Sequence, residues 1–356
     1  MRTNRTRTWL ALSSFLLAAG SGWGCGVEPG TDDGEDTEAS SASAITFYPI
    51  TYQDSAGNYA YRTGPGAYRV KCKPPLIAPV ITLVDPVFQM DCSRIAGRET
   101  ECQQLLVNAA CRVYPAYRQI TDTRLEPLCS TVQYVIYPDL QPGQSNESTF
   151  GCSGLNGNTS GGCSYVKSDV CHISYQAQYG LQVRSTTLGP VDTHELLHHF
   201  QHQVAEEAGA SSWWSTYMPV MHSLFASSQP MAARMVDGSP PGDLAEFFSQ
   251  QISDEADSLQ ARIANGTLTP SDANYCPLML TYVEETLAVH DWRFAQRVYT
   301  ALAAVDPGIS ALSRETEALR NAATAAQAAG EFDAGFDGGA WASNVLFSLG
   351  GWGSCW

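Results

Sequence analysis

The cysteines constrain this chain more than any other feature of its sequence. Eleven cysteines occur in 356 residues, and eight of the eleven lie between 72 and 171. Clustered cysteines are typical of disulfides that form in an oxidising compartment. The economical interpretation is four bridges within the first half and a Cys276–Cys355 bridge in the second. This leaves Cys25 over, and the pairing within the first half stays open because spacing does not determine connectivity.

The N-terminus has the pattern of an export signal. Residues 1–24 begin with the basic stretch MRTNRTRTW and continue with the apolar stretch LALSSFLLAA and small residues. That apolar stretch is too short to span a bilayer, and no later segment is apolar enough to do so. Cleavage is expected after Gly20 or before Cys25, where the chain resembles bacterial lipoproteins whose new N-terminal cysteine carries lipid. We therefore expect an exported protein, either an outer-membrane or cell-surface lipoprotein or a secreted one.

Charge and composition limit the partners that the chain can bind. Residues 25–44 are acidic, contain Gly and Ser, and predict a disordered linker, lipid-anchored or free. The formal net charge is −16, which argues against nucleic acid as a partner because phosphates require basic patches. It favours a soluble, monomeric surface. The membrane is expected to be contacted only through a lipid on Cys25.

Hydrophobic patterning predicts an α+β fold in two parts. Residues 45–210 are predicted to be a disulfide-rich α/β part, and residues 211–356 a mainly helical part. The first part is expected to contain short strands in 45–90, a helix over 93–113, a strand over 131–140, a long loop over 141–164, a strand over 172–183 and then a histidine-rich helix. Helices in the second part are predicted over 212–226, 242–264, 277–290, 291–305 and 309–330.

The stretch HELLH at 194–198 has the spacing of a metal site. On a helix, His194 and His198 lie on one face and can donate imidazole nitrogens to a single ion. Glu195 then lies beside the ion, where it can take a proton from an activated water and deliver it to a leaving amine. The alternative is a capping box, with Asp192 at the helix N-cap, Glu195 reaching back to it and the histidines on a solvated face.

HELLH at 194–198 and AEFF at 245–248 resemble the zinc-binding segments of zincin-type metallopeptidases, and of the gluzincin group in particular. AEFF is similar to the third-ligand segment of lethal-factor-type zinc peptidases. The metzincin pattern HExxHxxGxxH does not fit, because Gln201 stands at the glycine position and Val204 at the third histidine. The resemblance implies a zincin-like fold, in which a mixed sheet and the active-site helix precede the helical part. It also implies a Zn²⁺ cofactor and hydrolysis of a peptide or protein substrate.

A catalytic zinc normally has three protein ligands. His202 lies eight residues beyond His194, about 12 Å along a helix axis, which is too far for one ion. Gluzincins take the third ligand from a glutamate on a later helix, and the resemblance points to Glu246, which starts a helix among apolar residues. It implies that Glu246 completes the zinc ligands, with Glu195 as general base and acid. The alternative for Glu246 is a capping box with Asp243.

We also expect roles for several tyrosines and histidines outside HELLH. An oxyanion donor is expected from among His222, Tyr217, Tyr275 and Tyr282. His172 and His290 are expected to have structural roles. The rival to a peptidase is a non-catalytic surface lipoprotein, which would be an adhesin or a metal- or protein-binding module.

Overall fold

The structure, a computed structural model, contains one mixed β-sheet followed by a series of helices. It describes residues 49–73, 86–138, 162–177, 190–207, 222–237, 243–306 and 308–350. A mixed sheet in the first part and helices in the second confirm the α+β expectation at that level. The predictions for the export signal at 1–24, the linker at 25–44 and most of the loop at 141–164 lie outside the described residues.

The sheet has seven strands in the order β1-β2-β3-β4-β5-β7-β6. Strands β4, β5 and β7 run parallel to one another, and the remaining neighbours pair antiparallel. The strands are β1 Ile50–Gln53, β2 Tyr59–Gly64, β3 Ala67–Lys71, β4 Val87–Asp91, β5 Thr131–Tyr137, β6 Gly162–Lys167 and β7 Val170–Gln176.

Local sequence explains two of the hairpins in this sheet. Gly66, between β2 and β3, has a φ of +69°, and a Cβ there would lie 2.5 Å from Cα of Ser93. Glycine is therefore required both by conformation and by space. Between β6 and β7, Ser168 and Asp169 both have positive φ, which matches the two-residue turn whose twist suits a hairpin. That turn brings β6 back alongside β7 at the end of the sheet.

The helix predicted over 93–113 begins later and ends later than expected. Helix α1 spans Glu99–Asn108, a π-helical turn spans Ala109–Val113, and α2 spans Tyr114–Thr121. The late start follows from Gly97, whose φ of +83° is incompatible with a helix. The π-helical turn lies just before Pro115, which has no N–H to donate to a preceding carbonyl. A proline there signals an interrupted helix, and the helix resumes after the interruption.

The described residues of the second part are mainly helical, as predicted, although the helix Gly338–Gly350 was not predicted and residues 212–221 of the helix expected over 212–226 lie outside the described residues. The helices are α3 Pro190–Glu207, α4 His222–Asp237, α5 Asp243–Ala264, α6 Tyr275–His290, α7 Phe294–Ala304, α8 Ala311–Ala329 and α9 Gly338–Gly350. Helix α8 is capped at both ends: the Ser310 side chain accepts from the N–H of Ser313, and Gly330 closes the helix in the left-handed conformation.

One hydrophobic core joins the sheet to the helices. It extends from Tyr68 on β3 through β5 to Leu346 on α9. The alternation along β5 buries Val132, Tyr134 and Ile136, as expected for a strand with one face against the core. Among the described residues, no helix has the length and hydropathy needed to cross a bilayer.

Disulfides join elements of the first part, as the cysteine content indicates. The bonded pairs are Cys72–Cys111, Cys92–Cys102 and Cys129–Cys171. Three disulfides are compatible with an exported protein. Cys276 is also disulfide-bonded, and its expected partner Cys355 lies outside the described residues.

Candidate metal centre

Helix α3 carries the HELLH stretch and is fixed in its rotation by apolar contacts. Leu196, Leu197 and Phe200 are completely buried. The Phe200 ring packs against Tyr114 and Tyr117 of α2, with ring centroids 5.5 Å and 5.9 Å apart. The helix also packs against β6. These contacts determine which side chains of α3 point inward and which remain at the surface.

His194 and His198 meet on the partly exposed face of α3. Their Nε2 atoms are 3.2 Å apart, and their rings are nearly perpendicular with centroids 4.8 Å apart. Two imidazoles that bind one tetrahedral zinc at about 2.0–2.1 Å have nitrogens about 3.3 Å apart. The two histidines therefore have the separation that a shared zinc ion requires.

Glu195 points away from solvent and is only 5% exposed. Burial raises the pKa of its carboxyl to about 7, and a hydrogen bond with the Ser164 side chain on β6 opposes that rise. A hydrogen bond that lowers a carboxyl pKa favours the ionised form, so the Ser164 hydroxyl donates to the carboxylate. The Glu195 carboxyl can therefore hold or release a proton near neutral pH, and it directly follows His194 in the chain.

The capping-box alternative for Glu195 is not supported by the helix boundary. Helix α3 begins at Pro190, so Asp192 lies inside the first turn and not at the N-cap. Proline at the start of a helix costs little, because the first N–H groups have no partner within the helix. A capping box needs its acceptor residue before the first turn.

The other histidines near HELLH have different surroundings. His199 is buried, and its Nε2 donates to the backbone oxygen of His172 at 3.2 Å. Burial lowers the pKa of His199 to about 3, so this histidine is neutral. The His172 ring stacks on Tyr165 with centroids 4.6 Å apart. His202 is partly exposed on the next turn of α3. His199 thus joins α3 to β7.

Glu246 lies on the first turn of α5 and its side chain is exposed, whereas its neighbours Ala245 and Phe248 are buried. These buried apolar residues occupy other faces of the helix and leave the Glu246 side chain in solvent. Within the described ranges, no three His, Cys, Asp or Glu side chains are grouped to hold a metal. The structure thus brings His194 and His198 together but does not join Glu246 to them, and its role as a ligand stays a prediction.

The candidate oxyanion donors that the structure describes pack within the helical part. The Tyr282 ring lies edge-on to Trp341 of α9, with centroids 5.6 Å apart. Tyr275 is buried at the start of α6, and burial raises the pKa of both tyrosines. The Tyr217 position and the His222 side chain lie outside the described residues. His290 pairs with Asp333 at 3.1 Å and stacks on Phe336, which fits its expected structural role.

Sequence reasoning missed a group of buried polar side chains in the helical part. Glu284 and Glu285 of α6 and Glu315 of α8 are all at most 1% exposed. The hydroxyl of Tyr299 on α7 lies near the Glu284 and Glu315 carboxyls. The Gln201 side chain of α3 is hydrogen-bonded to this hydroxyl. The periodicity of α6 could have indicated that Glu284 is buried, because Glu284 lies on the same helix face as the buried residues Leu280, Val283 and Leu287.

No protein-family model, curated protein or solved structure matches this chain. The likeness to zinc peptidases therefore comes from HELLH at 194–198 and AEFF at 245–248. Within HELLH, the structure adds two observations: the Nε2 atoms of His194 and His198 are 3.2 Å apart, and the carboxyl of Glu195 is buried.

Proposed function

We propose that this protein is a zinc-dependent peptidase, with His194 and His198 as two of the zinc ligands and Glu195 as the general base and acid. The observation that carries the proposal is the 3.2 Å separation of the two Nε2 atoms, with a buried carboxyl on Glu195, the residue that follows His194. Zinc held there would supply a Lewis acid that polarises the scissile carbonyl and acidifies water.

Glu195 has the protonation behaviour that this reaction needs. Its carboxyl has a pKa of about 7, because burial disfavours the charged form. A group that titrates near the working pH can accept a proton from the attacking water and then donate it to the leaving nitrogen. A bound cation would favour the carboxylate form, in which Glu195 is ready to act as the base.

An extended peptide is the proposed substrate. Strand β6 is the terminal strand of the described sheet and lies beside α3. The outer edge of a terminal strand can pair with a peptide in extended conformation through backbone hydrogen bonds. Ser164 on this strand contacts Glu195, so a peptide paired with β6 would lie close to the proposed base.

Glu246 is proposed as the third ligand. Its carboxylate is exposed near the start of α5, and a carboxylate in solvent can bind a cation without first breaking a buried contact. Gluzincins place their third ligand on a later helix in the same order along the chain. The remaining zinc position would be left for water and substrate.

The cellular context is part of the same proposal. We propose a zincin-like enzyme that is exported and acts as a monomer, anchored by a lipid on Cys25 or released by cleavage after Gly20. The disulfides Cys72–Cys111, Cys92–Cys102 and Cys129–Cys171 support an oxidising compartment.

A non-catalytic surface lipoprotein is the second candidate. It is favoured by the lack of a three-residue metal group among the described residues. In that case His194 and His198 would hold metal weakly, or would form part of an adhesin or protein-binding surface. The two candidates differ in what replacement of Glu195 does, since a purely metal-binding surface does not need a base.

The experiment measures zinc content and peptide hydrolysis in the exported protein and in Glu195→Gln. We expect one zinc in both proteins and a loss of about 10²- to 10⁴-fold in kcat for the variant, because the general base is removed. Glu317→Gln is the matched control, since Glu317 is exposed on α8. A wild-type protein without zinc, or equal activity in Glu195→Gln, would exclude the peptidase mechanism.

A further inference from the structure

Ser164 is a buried hydroxyl on β6, followed by two partly exposed residues. Its side chain is 3% exposed, whereas Tyr165 and Val166, the next residues of β6, are partly exposed. In the register of the sheet, Ser164 lies opposite Ile173 of β7, which is completely buried. A hydroxyl in such surroundings costs free energy unless it has a hydrogen-bond partner.

One partner of this hydroxyl is the carboxyl of Glu195. Helix α3 packs against β6, and the Ser164 hydroxyl is hydrogen-bonded to the Glu195 side chain across that contact. Both groups are buried, so water does not compete for this hydrogen bond. The two residues that follow Glu195, Leu196 and Leu197, are completely buried and offer no polar side-chain atom. The serine is therefore placed to orient the carboxyl.

We propose that Ser164 is the positioning residue of Glu195. The inference rests on the proposed peptidase function. The glutamate side chain has three rotatable torsions, and the donor on β6 selects the conformation in which the carboxylate faces the strand that would carry the substrate. The contact of Ser164 is with the Glu195 carboxyl, so its effect on the reaction passes through Glu195.

Removal of this donor has a defined kinetic consequence. In Ser164→Ala the carboxylate samples other rotamers, and fewer enzyme–substrate complexes have the base in place. Supporting contacts of this kind are worth about 10- to 100-fold in activity. We expect kcat to fall by that factor with KM unchanged, because the outer edge of β6 and its backbone remain available to the peptide. Zinc content is expected to stay at the wild-type level.

Two further variants separate orientation from stability. Ser164→Thr retains a hydroxyl at the same position on a strand that accepts β-branched residues, and it is expected to restore most of kcat. Ser174→Ala is the matched control, because Ser174 is a serine of β7 that is 2% exposed. It pairs with Cys163, so it lies on the opposite face of the sheet from Ser164. Its kcat is expected to equal that of the wild type.

An infrared measurement tests the contact without catalysis. The difference spectrum between wild type and Glu195→Gln, metal-free and at a pH where the carboxyl is ionised, contains the carboxylate band of Glu195. The same difference taken in the Ser164→Ala background should show a shifted band, because the hydrogen bond to the carboxylate is lost. The Ser174→Ala background should leave the band in place.

The outcomes separate the inference from the function. A wild-type protein that cleaves peptides, with an unchanged kcat or an unshifted band in Ser164→Ala, overturns the role of Ser164 alone. A kcat that stays low in Ser164→Thr, with wild-type zinc and stability, also overturns it. A wild-type protein that binds no zinc and cleaves no peptide overturns the proposed function, and the positioning role fails with it whatever the infrared band shows.

Discussion

The Ser227 hydroxyl donates a hydrogen bond to Oε1 of Glu284 and thereby joins α4 to α6 in the interior of the helical part. Glu284 is completely buried, and its charge contributes to the raised pKa of the buried Glu315 carboxyl on α8. Buried carboxyl groups are expensive unless they are protonated or paired. The protonation of this group should therefore influence how stable the protein is at different pH values.

The first prediction concerns Glu315. Burial, followed by the charge of Glu284, raises the pKa of its carboxyl well above the usual value. Because this pKa is raised on folding, its stabilising contribution is complete below the unfolded pKa of about 4.3 and is lost as pH rises through the folded pKa. Glu315→Gln removes this titration, so the slope of unfolding free energy against pH should become less steep by up to about 1.4 kcal/mol per pH unit.

Urea unfolding across a pH series measures that slope. Glu317→Gln changes a carboxyl of the same helix that is exposed, and it should retain the wild-type slope. Glu285 also has a raised pKa, from burial and then from the charges of Glu255 and Glu284, so part of the slope should persist in Glu315→Gln. A variant with the full wild-type slope would mean that Glu315 is already ionised in the folded protein.

The second prediction separates the histidines of α3. Loss of either member of the pair in His194→Ala or His198→Ala should weaken zinc binding by about 100-fold or more, because each supplies one bond to the ion. His202→Ala should bind zinc as the wild type does, since position 202 is about 12 Å from position 194 along the axis. Competition with a zinc chelator measures the affinities. Equal losses in all three variants would contradict a site built on HELLH.

The third prediction tests Glu246 as a ligand. Glu246→Gln keeps the size of the side chain and removes its charge, so zinc affinity should fall by at least about tenfold. Asp254→Asn is the control, because Asp254 is exposed on the same helix and accepts a hydrogen bond from Gln250 at 2.7 Å. Visible spectra of the cobalt-substituted protein should change in Glu246→Gln and remain unchanged in Asp254→Asn. Identical spectra for all three proteins would exclude Glu246 from the metal.

The fourth prediction concerns the packing that orients α3. Phe200 is completely buried against Tyr114 and Tyr117, and Phe200→Ala should lower the free energy of unfolding by about 3–5 kcal/mol. Phe347 of α9 is 81% exposed, so Phe347→Ala should change stability by no more than about 0.5 kcal/mol. Urea unfolding of the two variants compares them directly. A small loss for Phe200→Ala would show that the contact between α2 and α3 is not needed for the fold.

The sequence predicted features that depend on local spacing. His194 and His198 are four residues apart, and a helix necessarily brings such residues to one face. The alternating pattern of β5 likewise determined which residues face the core. Both properties follow from the geometry of a single element, so they did not require knowledge of how elements pack.

Properties that depend on packing between elements could not be predicted in this way. The apolar sequence around Glu246 does not indicate on which side of the helix its carboxylate lies, and the structure buries Ala245 and Phe248 but leaves Glu246 exposed. Glu284 and Glu315 lie in the core although charged residues are expected at surfaces. The contact of Ser164 with Glu195 joins residues 31 positions apart, and nothing in either local pattern indicates it.

The Cys129–Cys171 disulfide joins a residue just before β5 to a residue within β7. These two strands are also hydrogen-bonded neighbours. A single peptide-bond cut between these cysteines would leave two polypeptides that are still covalently joined. Such a nicked protein would run as one band in electrophoresis without reductant and as two bands after reduction. Because the β5 and β7 pairing would also remain, the nicked form should retain the sheet on which α3 is packed.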